Sequence, residues 1–189
     1  MTSDSPGPAP APPTPAPAVA PDRTRIGRVM AYRWLLLIAV GVLVLDRITK
    51  AWICTCLPYP TYGPPRHIVV IEDFFNLVNV GNTGAAWSLF SGRSTALAML
   101  AVATLIAIYA WRRQLGLRAW IVQISFGLLC GGILGNLLDR IFYHHVIDFL
   151  DFHFGSYIYP TFNVADSGIC VGVGIYLLHS LRQPEPHQE

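Results

Sequence analysis

Residues 120–140 read WIVQISFGLLCGGILGNLLDR, an apolar run that ends in an acid and a base. A helix that crosses the hydrocarbon core of a bilayer needs about 20 mostly apolar residues, and this run has that length. Gly127, Gly131 and Gly135 recur at every fourth position of the run. Residues with this spacing share one face of a helix, and small residues there are typical of close helix–helix packing. The stretch therefore predicts a membrane-spanning helix that packs tightly against neighbouring helices.

The rest of the chain holds further apolar runs, and together they predict an all-α polytopic membrane protein with four transmembrane helices. The predicted spans are 34–57, 96–111, 120–138 and 162–181. In the last of them, Gly168, Gly172 and Gly174 predict close packing as well. Hydrophobic residues make up 53% of the sequence and charged residues 13%, whereas soluble domains carry about 25% charged residues. The formal net charge of +2 is too small to indicate a nucleic-acid partner.

The composition divides the chain into three regions. Residues 1–21 are rich in Pro, Ala, Ser and Thr and lack the basic start and apolar centre of a secretory signal peptide, so they predict a disordered tail. Residues 22–182 are predicted to form the membrane domain, and residues 183–189 a short tail. Cytoplasmic loops carry an excess of basic residues, which predicts that both termini are cytoplasmic. The basic residues that set this orientation are Arg23, Arg25, Arg28, Arg33, Arg112, Arg113, Arg118 and Arg182.

The segment 58–95, between the first two spans, has a pattern of its own. It contains HIVVI at 67–71, an acidic pair at 72–73, and FFNLVNV at 74–80. Two stretches rich in β-branched and aromatic residues around a polar turn are typical of a hairpin. The segment therefore predicts a small extracytoplasmic β-hairpin or sheet.

Ionisable residues from separate spans fall at one predicted level, near the outer face of the membrane. An ionised side chain inside a bilayer costs at least about 2.5–3.5 kcal/mol on insertion scales, so their convergence predicts a shared site. They are Asp46 and Lys50 in the first span, Asp139 and Arg140 at the end of the third, Asp166 near the start of the fourth, and Asp148 and Asp151 in the outer loop before it.

Part of this set is predicted to hold the helices together. Asp46 and Lys50 are four residues apart and can pair on one helix face. Asn136, Asp139 and Arg140 have the spacing that places them on one face of the third span. We interpret Asp46, Lys50, Asp139 and Arg140 as a scaffold around the site.

Asp148 and Asp166 are the candidates for the chemistry. No basic residue lies three or four positions from Asp166, and Asn163 is its polar neighbour on that face. Asp148 stands among the hydrophobic residues of the outer loop. Two carboxyl groups brought close together share a proton, so that one activates a water while the other polarises a carbonyl. On this reasoning Asp151 remains an alternative to Asp148.

Other kinds of catalytic site find no support in the sequence. The histidines have no zinc-binding spacing such as H-E-x-x-H, and the serines lack a G-x-S-x-G elbow. The cysteines are scattered over the predicted spans, where a thiol behaves as a small hydrophobe. We therefore expect no metal and no other cofactor.

Five motifs, in order, resemble those of the lipoprotein signal peptidases, or signal peptidases II, a family of bacterial inner-membrane aspartyl proteases. The motifs are DRITK at 46–50, NTGAA at 82–86, GGILGNLLDR at 131–140, VIDF at 146–149 and PTFNVADS at 160–167. One such motif is weak evidence, whereas five at matching positions are specific. The resemblance covers residues 34–181. It departs from the family at Trp87, where Phe is common, and in the tail 1–21, which has no counterpart.

The resemblance implies that Asp148 and Asp166 are the catalytic pair. The implied substrate is a prolipoprotein whose cysteine carries diacylglycerol, cleaved just before that cysteine. The implied location is the bacterial inner membrane, in contact with its lipids, with the active site at the extracytoplasmic face. The polar residues that it implies around the substrate and the acids are Asp46, Lys50, Asn82, Gly84, Asn136, Arg140 and Asn163.

Buried carboxylates also mark ion paths, so a small ion-coupled transporter is a competing hypothesis. The acids gather at one level and leave no polar route through the inner halves of the spans, which disfavours it. A non-enzymatic assembly factor held together by ion pairs is a further hypothesis. The Gly-x-Gly-Asp signature of another class of intramembrane aspartyl protease is absent from the sequence.

Overall fold

The computed structural model describes residues 25–85 and 89–182. The predictions for the two terminal tails and for Trp87 lie outside the described residues. The helices are α1 (Arg25–Met30), α2 (Arg33–Cys56), α3 (Ser94–Ala110), α4 (Trp120–Phe142) and α5 (Val164–Leu181). The strands are β1 (Ile68–Ile71), β2 (Phe75–Asn82), β3 (Val146–Phe154) and β4 (Tyr157–Ile158).

Helix α4 is the centre of the helical part, because α2, α3 and α5 all pack against it. Its small residues permit the close approach. A methyl group added at Gly127 would lie 3.0 Å from the carbonyl oxygen of Leu35, and one added at Gly131 would lie 2.6 Å from that of Ala39. The prediction that the glycines of this helix form a packing face is confirmed.

The glycines of α5 divide into two kinds. Gly168 and Gly172 lie against the backbone of α4, as predicted, and the Ser125 hydroxyl donates to the Gly172 carbonyl at 2.6 Å. The same prediction is wrong for Gly174, which faces open space. Gly174 lies two positions beyond Gly172, and a step of two residues turns a helix by about 200°. The two glycines therefore occupy opposite sides of α5.

Among the described helices, α4 and α5 are long and apolar enough to cross a membrane, by length and composition. Helix α3 is apolar but has 17 residues. Helix α2 has 24 residues, but its apolar run is interrupted by Asp46, Arg47 and Lys50. The prediction of four transmembrane helices therefore stays a prediction.

The predicted hairpin is confirmed and belongs to a larger sheet. Strands β1 and β2 pair antiparallel around the turn that contains Asp73, whose φ of 56° is left-handed. The sheet has four strands in the order β1-β2-β3-β4. Its β3 corrects the prediction of an outer loop at Asp148 and Asp151. The segment becomes a strand because β2 pairs with one of its edges, while β4 and Phe162 pair with the other.

The sheet lies at the end of the helical bundle where α2 and α4 finish and α5 starts. Ile53 of α2 and Leu57, the residue after the end of α2, form a buried cluster with Phe149 of β3. The last helix begins at Val164 rather than at the predicted position 162, because Asn163 is its N-terminal cap. This arrangement brings the ends of three helices and the middle of β3 to one level.

The packing at the α4–α5 contact predicts opposite effects for two glycine substitutions. In Gly172→Ala, the new methyl group would lie 2.6 Å from the Ser125 carbonyl oxygen and 2.9 Å from the Leu129 nitrogen. We expect a loss of about 1–3 kcal/mol of unfolding free energy, which is typical of overpacking. The matched control Gly174→Ala meets no atom within 4 Å and is expected to be neutral or more stable, by up to about 1 kcal/mol of helix propensity.

Thermal and denaturant unfolding of both purified variants in one detergent measures this difference. Equal stability of the two variants would show that the glycine contact does not set the distance between α4 and α5.

Candidate active site

Asp166 is fixed by the way in which α5 begins. Asn163 caps the helix: its side-chain oxygen accepts a hydrogen bond from the Asp166 backbone N–H at 3.0 Å. In return, the Asp166 carboxylate accepts one from the Asn163 backbone N–H at 3.2 Å. This reciprocal capping box satisfies backbone donors that a helix start leaves unpaired. It also holds the Asp166 carboxylate in the first turn of the helix.

The same capping residue holds Asp148. The Asn163 side-chain amide donates to one Asp148 carboxylate oxygen at 2.7 Å, and Asn163 itself is fully buried. Asp148 is 2% exposed on strand β3. One buried asparagine therefore links an acid on the sheet with an acid on a helix.

Each acid receives a second amide donor from another element. Asn82, at the end of β2, donates to the other Asp148 oxygen at 3.0 Å. Asn136 of α4 donates to the other Asp166 oxygen at 2.7 Å. Each carboxylate oxygen of the pair therefore accepts one N–H from a described residue, and both carboxyl groups are held in fixed orientations.

The pKa of Asp148 is raised from its ordinary value of 3.8 to about 7. Burial is the largest cause, because a charge in a poorly solvated site is disfavoured. The nearby charge of Asp166 raises the pKa further, while the hydrogen bonds from Asn82 and Asn163 lower it. The group therefore holds a proton under near-neutral conditions, where an ordinary carboxyl group is ionised.

Behind the pair lies a charge cluster formed by Asp46, Arg47, Lys50 and Asp139. Lys50 contacts Asp46 at 3.0 Å and Asp139 at 2.6 Å. Arg47 contacts the same two acids at 2.7 Å each. The side chains of both acids are fully buried, and that of Lys50 is 2% exposed. Two acids and two bases balance, which is how buried charges are tolerated.

The charge cluster holds the backbone immediately before each acid of the pair. Asp46 accepts a hydrogen bond at 3.2 Å from the backbone N–H of Ala165, the residue before Asp166. Asp139 accepts one at 3.2 Å from the backbone N–H of Ile147, the residue before Asp148.

The charge cluster also reaches the amide donors. Lys50 donates to the Asn136 side-chain oxygen at 3.1 Å, and the same Asn136 donates to Asp166. Asp46, Lys50 and Asp139, for which the sequence predicts a scaffold role, make these contacts, and the role itself stays a prediction.

Arg140, Gly84 and Asn82 form a third part of the site. Arg140 donates to the Gly84 carbonyl at 2.9 Å, and the Gly84 N–H donates to the Asn82 side-chain oxygen at 2.8 Å. Arg140 also lies close enough to Asp148 and Asp166 for electrostatic attraction. Its buried Nε has no hydrogen-bond partner among the described residues. The segment after β2 is thereby tied to the end of α4 beside the acids.

The structure also settles where the alternative acid lies. Asp151 Oδ2 is 2.7 Å from His153 Nε2, and Thr161 donates to the other Asp151 oxygen at 3.4 Å. Asp151 is three positions from Asp148 on one strand, and side chains an odd number of residues apart point to opposite faces of a sheet. It therefore belongs to a separate polar group, and the alternative of Asp151 in place of Asp148 is wrong.

The structure brings together the site residues that the sequence analysis named, and it adds Arg47, which sequence reasoning missed. The signal was available, because a base within an apolar span requires a partner, and Arg47 lies beside Asp46. The backbone N–H groups of Ile147 and Ala165 carry no sequence signal. Within residues 25–85 and 89–182, no group of three or more His, Cys, Asp or Glu could hold a metal ion.

Comparison with known proteins gives one consistent family. The family described as signal peptidase (SPase) II matches residues 38–182. A lipoprotein signal peptidase of Syntrophotalea carbinolica is 38% identical over 85% of this chain and 99% of its own length. One of Oleidesulfovibrio alaskensis is 45% identical over 72% of this chain and 86% of its own length. A bacterial membrane enzyme solved in meso at 2.3 Å superposes with a TM-score of 0.70 and 31% identity, covering 82% of this chain and 93% of the other.

The charge cluster predicts that Lys50→Met is strongly destabilising. The variant leaves Asp46 and Asp139 with Arg47 as their one base, and removing one partner of a buried ion pair costs about 3–5 kcal/mol. The double variant Lys50→Met/Asp46→Asn restores the charge balance and should lose less stability than the sum of the two single variants. Unfolding of the four proteins in detergent measures this coupling, and strict additivity would contradict it.

Proposed function

The chain belongs to the signal peptidase II family of aspartyl proteases, and we propose that Asp148 and Asp166 cleave the signal peptide from lipid-modified prolipoproteins. Membership in this family excludes the transporter and the assembly factor. The substrate is a precursor whose cysteine carries diacylglycerol, and the bond cut is the peptide bond just before that cysteine. The relatives that share most of the chain are themselves lipoprotein signal peptidases.

One observation carries the proposal. Asn163 donates to Asp148 at 2.7 Å and caps the helix turn that presents Asp166. The two acids thus meet across a single buried amide, and the raised pKa of Asp148 near 7 gives the pair one proton at neutral pH. A carboxylic acid beside a carboxylate is the arrangement that hydrolyses a peptide bond without a nucleophilic side chain.

The reaction follows from this single proton. The ionised aspartate takes a proton from water as the water oxygen attacks the carbonyl carbon. The protonated aspartate gives its proton to the carbonyl oxygen, which forms a tetrahedral diol. The diol then returns a hydroxyl proton to one acid, while the other protonates the departing nitrogen and the C–N bond breaks. The pair ends with one proton, as it began.

The neighbouring polar groups orient the substrate and the acids. Arg140 carries a buried Nε with no described partner, and an N–H so placed can donate to a substrate carbonyl. Asn82, Gly84, Asn136 and Asn163 hold the carboxylates and the segment beside them. The charge cluster, which includes Asp46, Lys50 and Asp139, holds the backbone before each acid in place.

The proposed location is the bacterial inner membrane, in contact with its lipids. Residues 22–182 form one domain that crosses it four times, with both termini in the cytoplasm and the sheet outside. The acid pair lies at the sheet end of the bundle, where α5 begins. A lipidated cysteine in the outer leaflet then presents its peptide bond at the depth of the acids, while water reaches them from outside.

We expect Asp148→Asn and Asp166→Asn each to lower cleavage by at least about 10³-fold, since either variant removes the acid–base pair. Asp151→Asn is the matched control, because Asp151 is buried on the same strand but pairs with His153. Purified variants are incubated with a lipidated precursor, and cleavage is followed by gel shift. Normal turnover by either dyad variant would rule out the pair as the catalytic groups.

The pKa of Asp148 predicts an alkaline limit to activity. Below about pH 7 Asp148 is protonated, and above it the proton is lost. Both acids are then ionised and neither can protonate the carbonyl, so kcat/KM should fall about tenfold for each pH unit above this limit. The profile of kcat/KM from pH 5.5 to 9, with Asp151→Asn as the control, measures this. A flat profile across that range contradicts a single shared proton.

A further inference from the structure

The end of the bundle remote from the acid pair is built by residues 111–119, the connection between α3 and α4. The side-chain amide of Gln123 ties this connection to the turn before α2, donating to the Ala31 carbonyl at 2.9 Å and to the Arg118 carbonyl at 3.2 Å. Leu117 is 3% exposed and forms a buried cluster with Val122 and Phe126. The connection is therefore a packed part of the fold.

Between this connection and the last two turns of α5 lies a cavity of about 140 Å³. About 10–15 Å³ of such volume holds one water, so the cavity accepts a group the size of a phosphate. Its lining combines apolar residues with polar side chains from both segments. The apolar residues are Leu115 and Val122, and the polar ones are Gln114, Tyr176, His179 and Ser180.

Among the described residues, the charged side chains next to the lining residues in sequence are all basic. Arg113 precedes the lining residue Gln114, Arg118 precedes the lining residue Ala119, and Arg182 follows Ser180 by two positions. All three are exposed. Within residues 25–85 and 89–182, no ion pair involves any of these three arginines. The described acidic residues belong to the other half of the bundle or to the sheet. No described acid therefore neutralises this end.

The surface beside the cavity is apolar. Three leucines of α5 lie next to its lining residues in sequence and are exposed: Leu177 by 54%, Leu178 by 59% and Leu181 by 82%. A phosphate-bearing molecule with acyl chains can therefore place its head in the polar cavity and its chains along this helix. Basic pockets between transmembrane helices on the cytoplasmic side are typical sites for anionic lipid headgroups.

We propose that this cavity binds the phosphate headgroup of an anionic phospholipid. The hydroxyls of Tyr176 and Ser180 and the amide of Gln114 donate to the phosphate oxygens. Arg113 and Arg118 supply the charge at the rim. The site lies at the end of the bundle opposite the acid pair, so the inference rests on the proposed membrane location and is independent of the proposed reaction.

The test is native mass spectrometry of the full-length protein in detergent, titrated with phosphatidylglycerol or with phosphatidylcholine. We expect phosphatidylglycerol to bind more tightly. We expect its affinity to fall by about fivefold for each of Arg113→Gln and Arg118→Gln, the usual effect of one basic residue near an anionic headgroup. Arg93→Gln is the matched control, because Arg93 is exposed at the opposite end of α3.

A second pair of variants tests the cavity rather than the charge. Ser180→Phe places a ring at a lining position, whereas Val171→Phe places one at an exposed position of the same helix, nine residues before Ser180. We expect the first to abolish preferential binding of phosphatidylglycerol and the second to leave it unchanged. Thermal unfolding of each variant shows that it is folded. A loss in both variants, or in neither, contradicts a headgroup site in this cavity.

The remaining outcomes also decide the matter. Equal affinity for the two lipids, or an equal loss in Arg93→Gln, overturns the proposal. Inorganic phosphate is tested in parallel by thermal shift at constant ionic strength. Stabilisation by phosphate without a preference for phosphatidylglycerol assigns the cavity to a soluble phosphate group and overturns its assignment to a lipid.

Discussion

The site depends on one buried amide. Asn163 begins α5, fixes Asp166 through the capping box, and donates to Asp148 on strand β3. Two carboxyl groups taken out of water repel each other and lose hydration, so they stay close only where donors face them. An apolar residue at position 163 would remove the side-chain donor to one Asp148 oxygen and the cap that holds the first turn of α5 around Asp166. One residue, Asn163, therefore both caps α5 and orients the acids of the site.

The charge cluster and the glycines of α4 also fix the position of the acid pair. A methyl group at Gly135 would lie 2.6 Å from the Asp46 carboxylate, so a glycine there leaves room for a charged side chain between helices. Asp46 in turn accepts from the backbone of Ala165. Close packing thus brings an acid of α2 against the start of α5, and the backbone before Asp166 is held by a charge-assisted hydrogen bond.

The sheet gives Asp148 its orientation. Val80 of β2 is paired with Asp148 across the ladder, and strand alternation turns Asp148 to one face and Asp151 to the other. The same pairing places Asn82, two residues after Val80, where it donates to the Asp148 carboxylate. A shift of the register by one residue would exchange the faces of the two acids, so the register selects which acid takes part in the site.

The sequence alone determined the helical runs, the hairpin, the glycine packing face of α4 and the set of acids and amides at one level. These are local properties, because periodicity, composition and short spacings express them directly. The tertiary structure decided what depends on contacts between distant segments. It made a strand of the segment around Asp148 by pairing it with β2, and it brought Arg47 of α2 against Asp139 of α4. Each of these outcomes rests on a partner far along the chain, and no local pattern records which partner a polar group finds when the segments pack.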